Sequence, residues 1–194
     1  MSYVFTEDWF SHNAPNWTKW LSGIAGRPGA RGLEIGSFQG RSAVWLLENV
    51  LTHPTSRLTC VDTFEGSVEN TPGQKADLFN IFERNLSPFS SRVDVFRGYS
   101  QAFLRTLPRE ETYDVVYIDG DHAATSVLED AALAFPLLKV GGVVIFDDYE
   151  WALMPKPTDR PRIAIDAFLS VYADHVRVLA VEYQVAVQKT RSLY

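Results

Sequence analysis

Leu33-Glu34-Ile35-Gly36-Ser37-Phe38-Gln39-Gly40-Arg41-Ser42 decides the reading of this chain. It lies between a strand-like start and a helix-like run, Ala43-Val44-Trp45-Leu46-Leu47. Two glycines four apart let the backbone turn tightly and approach a ligand closely. The helix that follows aims its free N–H groups back at the turn, which suits an anionic or oxygen-rich ligand end. A turn of this kind, opening the first β-α unit of an open sheet, is where nucleotide-like ligands bind. The spacing is neither the G-x-G-x-x-G of a dinucleotide turn nor the Gly-Lys-Ser/Thr ending of a P-loop.

Outward from the turn, strand and helix patterns alternate. The segment around 5–25 reads as one or two helices broken at Ala14-Pro15-Asn16, with Trp9, Phe10, Trp17, Trp20 and Leu21 at near-helical spacing. These aromatics are expected to pack the segment onto the sheet, with an aromatic lid or a dimer face as the alternative. A helix is expected from about Gly40 to Leu51, and a strand at Leu58-Thr59-Cys60-Val61-Asp62. A polar loop then runs from Phe64 to Gly73, followed by a helix from Asp77 to Leu86 and a strand over Val93–Arg97. A short helix is expected over Ser100–Leu107 and an apolar strand over Val115–Asp119. Ala123–Leu138 reads as an amphipathic helix, and Gly141-Gly142 as a turn into the strand Val143–Asp148. A proline-rich loop (Tyr149–Arg162), a helix (Ile163–Ala173) and a terminal hairpin around Val181-Glu182 complete the chain. This order predicts an α/β fold: a doubly wound, mostly parallel, Rossmann-like sheet with a C-terminal antiparallel hairpin strand and an N-terminal helical segment.

The 194 residues are expected to form a single domain, 1–194, with residues 1–26 as a helical lid or packing segment. At 46% hydrophobic and 22% charged residues the chain is globular, not disordered. A net charge of −6 argues against a nucleic-acid backbone as main partner. No apolar run approaches the ~20 residues of a membrane span, so no membrane partner is expected. Met1–Asp8 lacks the basic and apolar regions of a secretory leader, and a cytoplasmic location is expected. Cys60, the one cysteine, rules out an internal disulfide or a thiolate metal cluster and reads as a small core residue. A homo-oligomer is left open.

The chemistry gathers at strand ends, which line one crevice in such a sheet. Asp62 closes the second strand, where a carboxylate takes ribose hydroxyls or, more plainly, caps a turn. Gly98-Tyr99-Ser100-Gln101 follows the third strand, with Ser100 also placed to cap a helix. Asp119-Gly120-Asp121-His122 and Asp147-Asp148 follow the next two strands. If those strands are neighbours, four carboxylates and a histidine crowd one place. Like charges at that range call for a counter-charge, and a hard divalent cation such as Mg²⁺ supplies it. The plainer reading is that these acids cap helices and loops.

The acidic-x-Gly-x-x-x-Gly turn resembles the first motif of class I S-adenosylmethionine-dependent methyltransferases. The branch it is most similar to holds the catechol O-methyltransferases and the sugar O-methyltransferases of antibiotic pathways. Gly98-Tyr99-Ser100-Gln101 resembles the Gly-x-Ser-Gln segment of that branch's adenine pocket. The resemblance covers about residues 31–150. It implies S-adenosylmethionine held by Glu34, Gly36, Ser37, Phe38, Gly40, Ser42, Asp62, Ser100, Gln101 and Asp119. It implies Mg²⁺ on Asp119, Asp147 and Asp148, and a small hydroxylated acceptor, a sugar or a phenol. The catechol branch has a lysine where His122 stands, whereas the sugar branch has an aspartate at the position of Asp121. The base is therefore Asp121 or His122. Alternation along an extended segment would put Asp121 beside Asp119, which favours Asp121 and leaves His122 to orient a carboxylate. Two other functions fit the same residues: a metal-independent N-methyltransferase, and a nucleoside-binding module without turnover.

Overall fold

A computed structural model describes residues 3–67 and 70–193. Its strands are β1 (Arg31–Ile35), β2 (Arg57–Asp62), β3 (Val93–Arg97), β4 (Tyr113–Ile118), β5 (Leu138–Phe146), β6 (Val176–Val181) and β7 (Val185–Lys189). They form one sheet in the order β3-β2-β1-β4-β5-β7-β6. The first five run parallel, and β7 pairs antiparallel with both β5 and β6. The strand order reverses between β1 and β4, and such a switch point opens a crevice at the carboxyl ends of the strands.

Helices α1 (Ala14–Trp20), α2 (Arg41–Asn49), α3 (Pro72–Lys75), α4 (Leu78–Leu86), α5 (Ser100–Leu104), α6 (Ala124–Ala134) and α7 (Pro161–Val171) flank the sheet. The period-two alternation of the strands divides the core. Val115 and Tyr117 of β4 pack with Trp17, Leu46, Leu47 and Phe82 on the face of α1, α2 and α4. Val116 and Ile118 pack with Val127, Ala131, Ile165 and Phe168 on the face of α6 and α7. A strand buried on both faces reads as an unbroken apolar run, as β4 does.

Several boundaries depart from expectation. Ala14-Pro15-Asn16 does not break a helix but starts one. Pro15 sits in the first turn of α1, where its missing N–H costs nothing, and a 3₁₀ turn (Ser11–Asn13) precedes it. The helix expected to reach Leu138 ends at Ala134, and Pro136 lies in a 3₁₀ turn beyond it. Gly141-Gly142 is no turn before a strand: β5 begins at Leu138 and carries the glycines as an irregularity in its pairing with β4. The loop Phe64–Gly73 runs into α3, which starts with a capping box between Thr71 and Gln74, and Val68 and Glu69 of that loop lie outside the described residues. Trp17 is fully buried, whereas Trp9 is 55% exposed and faces the crevice.

Candidate active site

The carboxyl ends of β1, β2, β4 and β5 open on a cleft of about 880 Å³. Gly36 fixes how closely its walls approach. Its φ is +84°, and a Cβ there would lie 1.9 Å from the carbonyl oxygen of Asp119. The turns after β1 and β4 therefore meet backbone to backbone, which only glycine permits. Gly40 serves another end. Its φ is +81°, and a Cβ would run into Leu86 of α4.

Asp62 gathers the glycine turn. Its Oδ2 accepts from the N–H groups of Ser37 and Phe38, each at 2.7 Å, and its Oδ1 from that of Phe64 at 2.6 Å. Glu34 does the same from beneath, accepting Ser37 Oγ at 2.7 Å and Ser42 Oγ at 2.6 Å. Burial pushes the Glu34 carboxyl up to about 7, against the pull of the two serines. Glu34 is wholly buried, and neither it nor Gly40 reaches the cleft wall. Both shape the turn that forms this wall. Gly36, Ser37, Phe38, Ser42, Asp62, Ser100, Gln101 and Asp119 all line the cleft. At the β3 end, Ser100 Oγ and Gln101 Nε2 both donate to Asp130 of α6, at 2.6 and 3.0 Å.

The acids of β4 and β5 stand level, because Asp119 N donates to Ile35 O and Asp147 N to Ile118 O. Tyr117 lies between them. Its hydroxyl is 2.8 Å from Asp119 Oδ2 and in a short contact with Asp147 Oδ2. Gln184 Nε2 also donates to Asp147 Oδ2 at 2.8 Å, and Trp17 Nε1 fixes that amide by donating to its oxygen at 2.7 Å. The amide of Asp148 donates to Asp147 Oδ1 at 2.8 Å. Asp147 is thus committed to protein donors. Asp148, at φ +62°, accepts the Tyr183 hydroxyl at 2.9 Å and lies 3.5 Å from His122 Nε2. Asp119, His122 and Asp148 each present a donor atom within 4.8 Å of the others. Enclosure, with Asp147 and Asp148 close by, holds the Asp119 carboxyl well above the usual range. Burial beside Asp119 and Asp147 does likewise for the Tyr117 phenol.

Asp121 is not beside Asp119. The chain leaves the strand at Ile118 and turns, so alternation stops applying. Asp121 Oδ1 accepts from Ala123 N at 3.2 Å and Oδ2 from Ser126 Oγ at 2.7 Å, which ties the turn after β4 to the first turn of α6. His122 and Asp121 both line the cleft, and His122 stands edge-on to Trp151 with ring centroids 4.6 Å apart. The sequence reading missed Tyr117, Asp130, Tyr183 and Gln184. Tyr117 had a signal, since it shares a strand face with Asp119 two residues on. Gln184, in the terminal hairpin, had none.

The family profile described as "Methyltransferase domain" matches residues 33–149, more than half of the chain. The chain belongs to this family, and its motifs and fold make it a class I S-adenosylmethionine-dependent methyltransferase. An uncharacterized protein of Acanthamoeba polyphaga mimivirus is 30% identical over 123 residues, 61% of this chain and 51% of that protein. The chain therefore spans about half the length of this relative. The O-methyltransferase NovP shares the fold with a TM-score of 0.66 and 21% identity, over 93% of this chain and 79% of its own. MycE of the mycinamycin biosynthetic pathway, solved with Mg, S-adenosylhomocysteine and mycinamycin VI, has a TM-score of 0.66 and 16% identity, over 95% of this chain and 51% of its own. At these identities the structures establish the fold and no more. No described helix is long and apolar enough to cross a membrane.

Proposed function

We propose that this methyltransferase transfers its methyl group to a hydroxyl oxygen of a small acceptor, a sugar or a phenol, and uses Mg²⁺ to do so. One observation carries the metal reading. The single proton of the Tyr117 hydroxyl faces two carboxylates, so with both ionised one close oxygen pair has no proton between them. The cluster is short of positive charge, and its exposed side opens on the cleft. The donor set fits a hard cation. MycE, which has the same fold, binds Mg.

In this reading Asp119 and Asp148 hold the cation, and Asp147 stands behind them as the anchored pivot. A bound cation would lower the pKa of an acceptor hydroxyl, and S-adenosylmethionine supplies the electrophilic methyl. Because Mg²⁺ prefers oxygen, this reading leaves the cation to the carboxylates and gives the hydroxyl proton to a ring nitrogen of His122. The Asp148 contact and Trp151 fix the plane of that ring. Gly36, the serines and Asp62 orient the cofactor, with ribose hydroxyls meeting Asp62, while Trp9 and Met154 line the acceptor's side.

Calorimetry with Mg²⁺ tests the reading, together with turnover on a panel of sugars and phenols. Wild type should bind the ion and lose activity in chelator. Asp148→Asn should weaken ion binding about a hundredfold while keeping its affinity for S-adenosylhomocysteine. Full turnover in excess chelator refutes the metal role, and turnover on amines alone refutes the oxygen acceptor.

A further inference from the structure

The sheet has a second opening at the end away from the cleft. Arg31 begins β1 and Arg57 begins β2, and parallel pairing sets the two side by side. The glycine turn lies beyond the other end of β1, roughly 13 Å of strand away. Alternation puts both arginines on the face of Leu33 and Val61, which is covered elsewhere by α5, α6 and α7. The cover thins where α5 ends at Leu104, and a cavity of about 320 Å³ opens there on the sheet. Phe96, Phe103 and Leu107 give it an apolar lining.

Its polar groups are unequally matched. Arg57 is committed: Nε and Nη2 donate to the two oxygens of Asp94 at 3.0 and 2.8 Å, and Nη1 to Ser91 O at 3.2 Å. The Arg31 guanidinium has no hydrogen bond or ion pair among the described residues. It stands close enough to Asp94 to help the Arg57 hydrogen bonds hold that carboxyl below its usual range. Tyr113 is 6% exposed and lines the same cavity, yet its hydroxyl has no partner among the described residues. A buried phenol ordinarily finds one. Two guanidiniums against one carboxylate leave the lining with a surplus positive charge, in a chain whose net charge is −6. Like charges opposite each other on neighbouring strands destabilise the pairing, and a second carboxylate relieves them.

We propose that this cavity is a ligand site for a small monocarboxylate with an aromatic or branched apolar body, separate from the catalytic cleft. The carboxylate takes the fork of Arg31 and the hydroxyl of Tyr113, and the body lies against Phe96, Phe103 and Leu107. The volume is near the lower limit of small-molecule sites, about 300 Å³, which selects a compact ligand. Inorganic phosphate satisfies the charge but leaves the apolar lining in water, so the lining favours an organic acid.

Amide shifts in heteronuclear NMR of the full chain test this, with 3-phenylpropionate as probe and 3-phenylpropanol and inorganic phosphate as comparisons. Amides of residues 57–59, 94–96 and 103–107 should move saturably, with a dissociation constant of about 1 mM or tighter for so small a ligand. The alcohol has the body without the charge, and phosphate the charge without the body. Each should bind at least about tenfold more weakly than the acid. Arg31→Met keeps an apolar stem and should weaken the acid about tenfold while leaving the alcohol unchanged. Tyr113→Phe should weaken the acid by a smaller factor, about threefold to tenfold. Saturating S-adenosylhomocysteine should leave these affinities unchanged. Equal binding of acid and alcohol by wild type overturns the proposal without recourse to any variant, as does a lack of saturation below ~10 mM. An unchanged acid affinity in the Arg31 variant overturns it as well. Displacement of the probe by S-adenosylhomocysteine would put it in the catalytic cleft and overturn the separate site. Phosphate binding as tightly as the acid would reduce the cavity to an ion contact and overturn the organic ligand.

Discussion

The two halves of the cleft are finished to different degrees. On the side of β1 to β3, protein donors meet protein acceptors: Asp62 takes three backbone N–H groups, Glu34 two serine hydroxyls, and Asp130 a serine and a glutamine. On the side of β4 and β5 three carboxylates stand together: Asp119, Asp147 and Asp148 meet two tyrosine hydroxyls, one amide side chain, the backbone N–H of Asp148 and the edge of a histidine. The first half is preorganised, and the second is the half that the proposed cation would complete. Preorganised donors and acceptors suit a ligand that is the same in every cycle. An under-protonated cluster suits a site that must exchange partners.

The largest effect should come from breaking the seam between the halves. Gly36→Val would drive a branched side chain into the Asp119 carbonyl at a left-handed φ. We expect a loss of stability of more than ~3 kcal/mol and no measurable cofactor affinity. A thermal melt and S-adenosylhomocysteine calorimetry decide it, and an unchanged variant would mean the turns can part. The next effect lies within the under-protonated half. His122→Gln should lower turnover by about 10²–10⁴, the usual worth of a positioned base, while Asp121→Asn should leave the chemical step near wild type and cost about 1 kcal/mol of stability through its weakened bond to Ser126. Turnover that collapses only in the Asp121 variant would return the base to that residue.

The contrast between the halves also explains what the sequence could reveal. The strand-turn-helix order and the acids at strand ends are local patterns, and residues 31–62 fold as read. Alternation could not fix where Asp121 points, because it holds only while a strand lasts and β4 ends at Ile118. Glu34 and Gly40 carry the motif's spacing, and their bonds and contacts within the turn are a detail that spacing does not contain. Gln184 and Trp17 are 167 positions apart and meet only because the terminal hairpin crosses back over α1. Asp130 lies inside an amphipathic helix, where an acid reads as a solvated face until α5 is seen to pack on it.

A third test sharpens the preorganised half. Glu34 has its carboxyl raised by burial from 4.5 to about 7. An acid raised in the folded state binds its proton more tightly there than in the unfolded chain. Its contribution to stability is therefore full below pH 4.5 and is lost as pH climbs through about 7. At roughly 1.4 kcal/mol per pKa unit the loss is on the order of 3 kcal/mol. Glu34→Gln keeps the shape and cannot ionise, so its stability should fall less than that of wild type between pH 4.5 and 8. Urea midpoints across that range measure the difference in slope. Parallel curves would show that the serine donors keep Glu34 ionised throughout.

The smallest expected effect asks whether the halves are separable. Tyr117→Phe removes one hydroxyl from the under-protonated side and nothing from the other. Two consequences oppose each other. The variant frees a lone pair on Asp119, which should help a cation, but it also removes the group that steadies Asp119 and Asp147. The hydroxyl's pull on the Asp119 carboxyl settles the sign. Enclosure and the neighbouring acids already hold that carboxyl well above its usual range, and Tyr117 draws it back down. Without the hydroxyl, Asp119 keeps its proton more firmly, and that proton competes with the cation for the same oxygens. We expect Mg²⁺ affinity about tenfold weaker, within the range found when groups behind metal ligands are removed, and S-adenosylhomocysteine affinity unchanged. Tighter Mg²⁺ binding would show that the freed lone pair outweighs the retained proton. A parallel loss of cofactor affinity would show that the two halves are a single cooperative unit joined through the contact of Gly36 with Asp119.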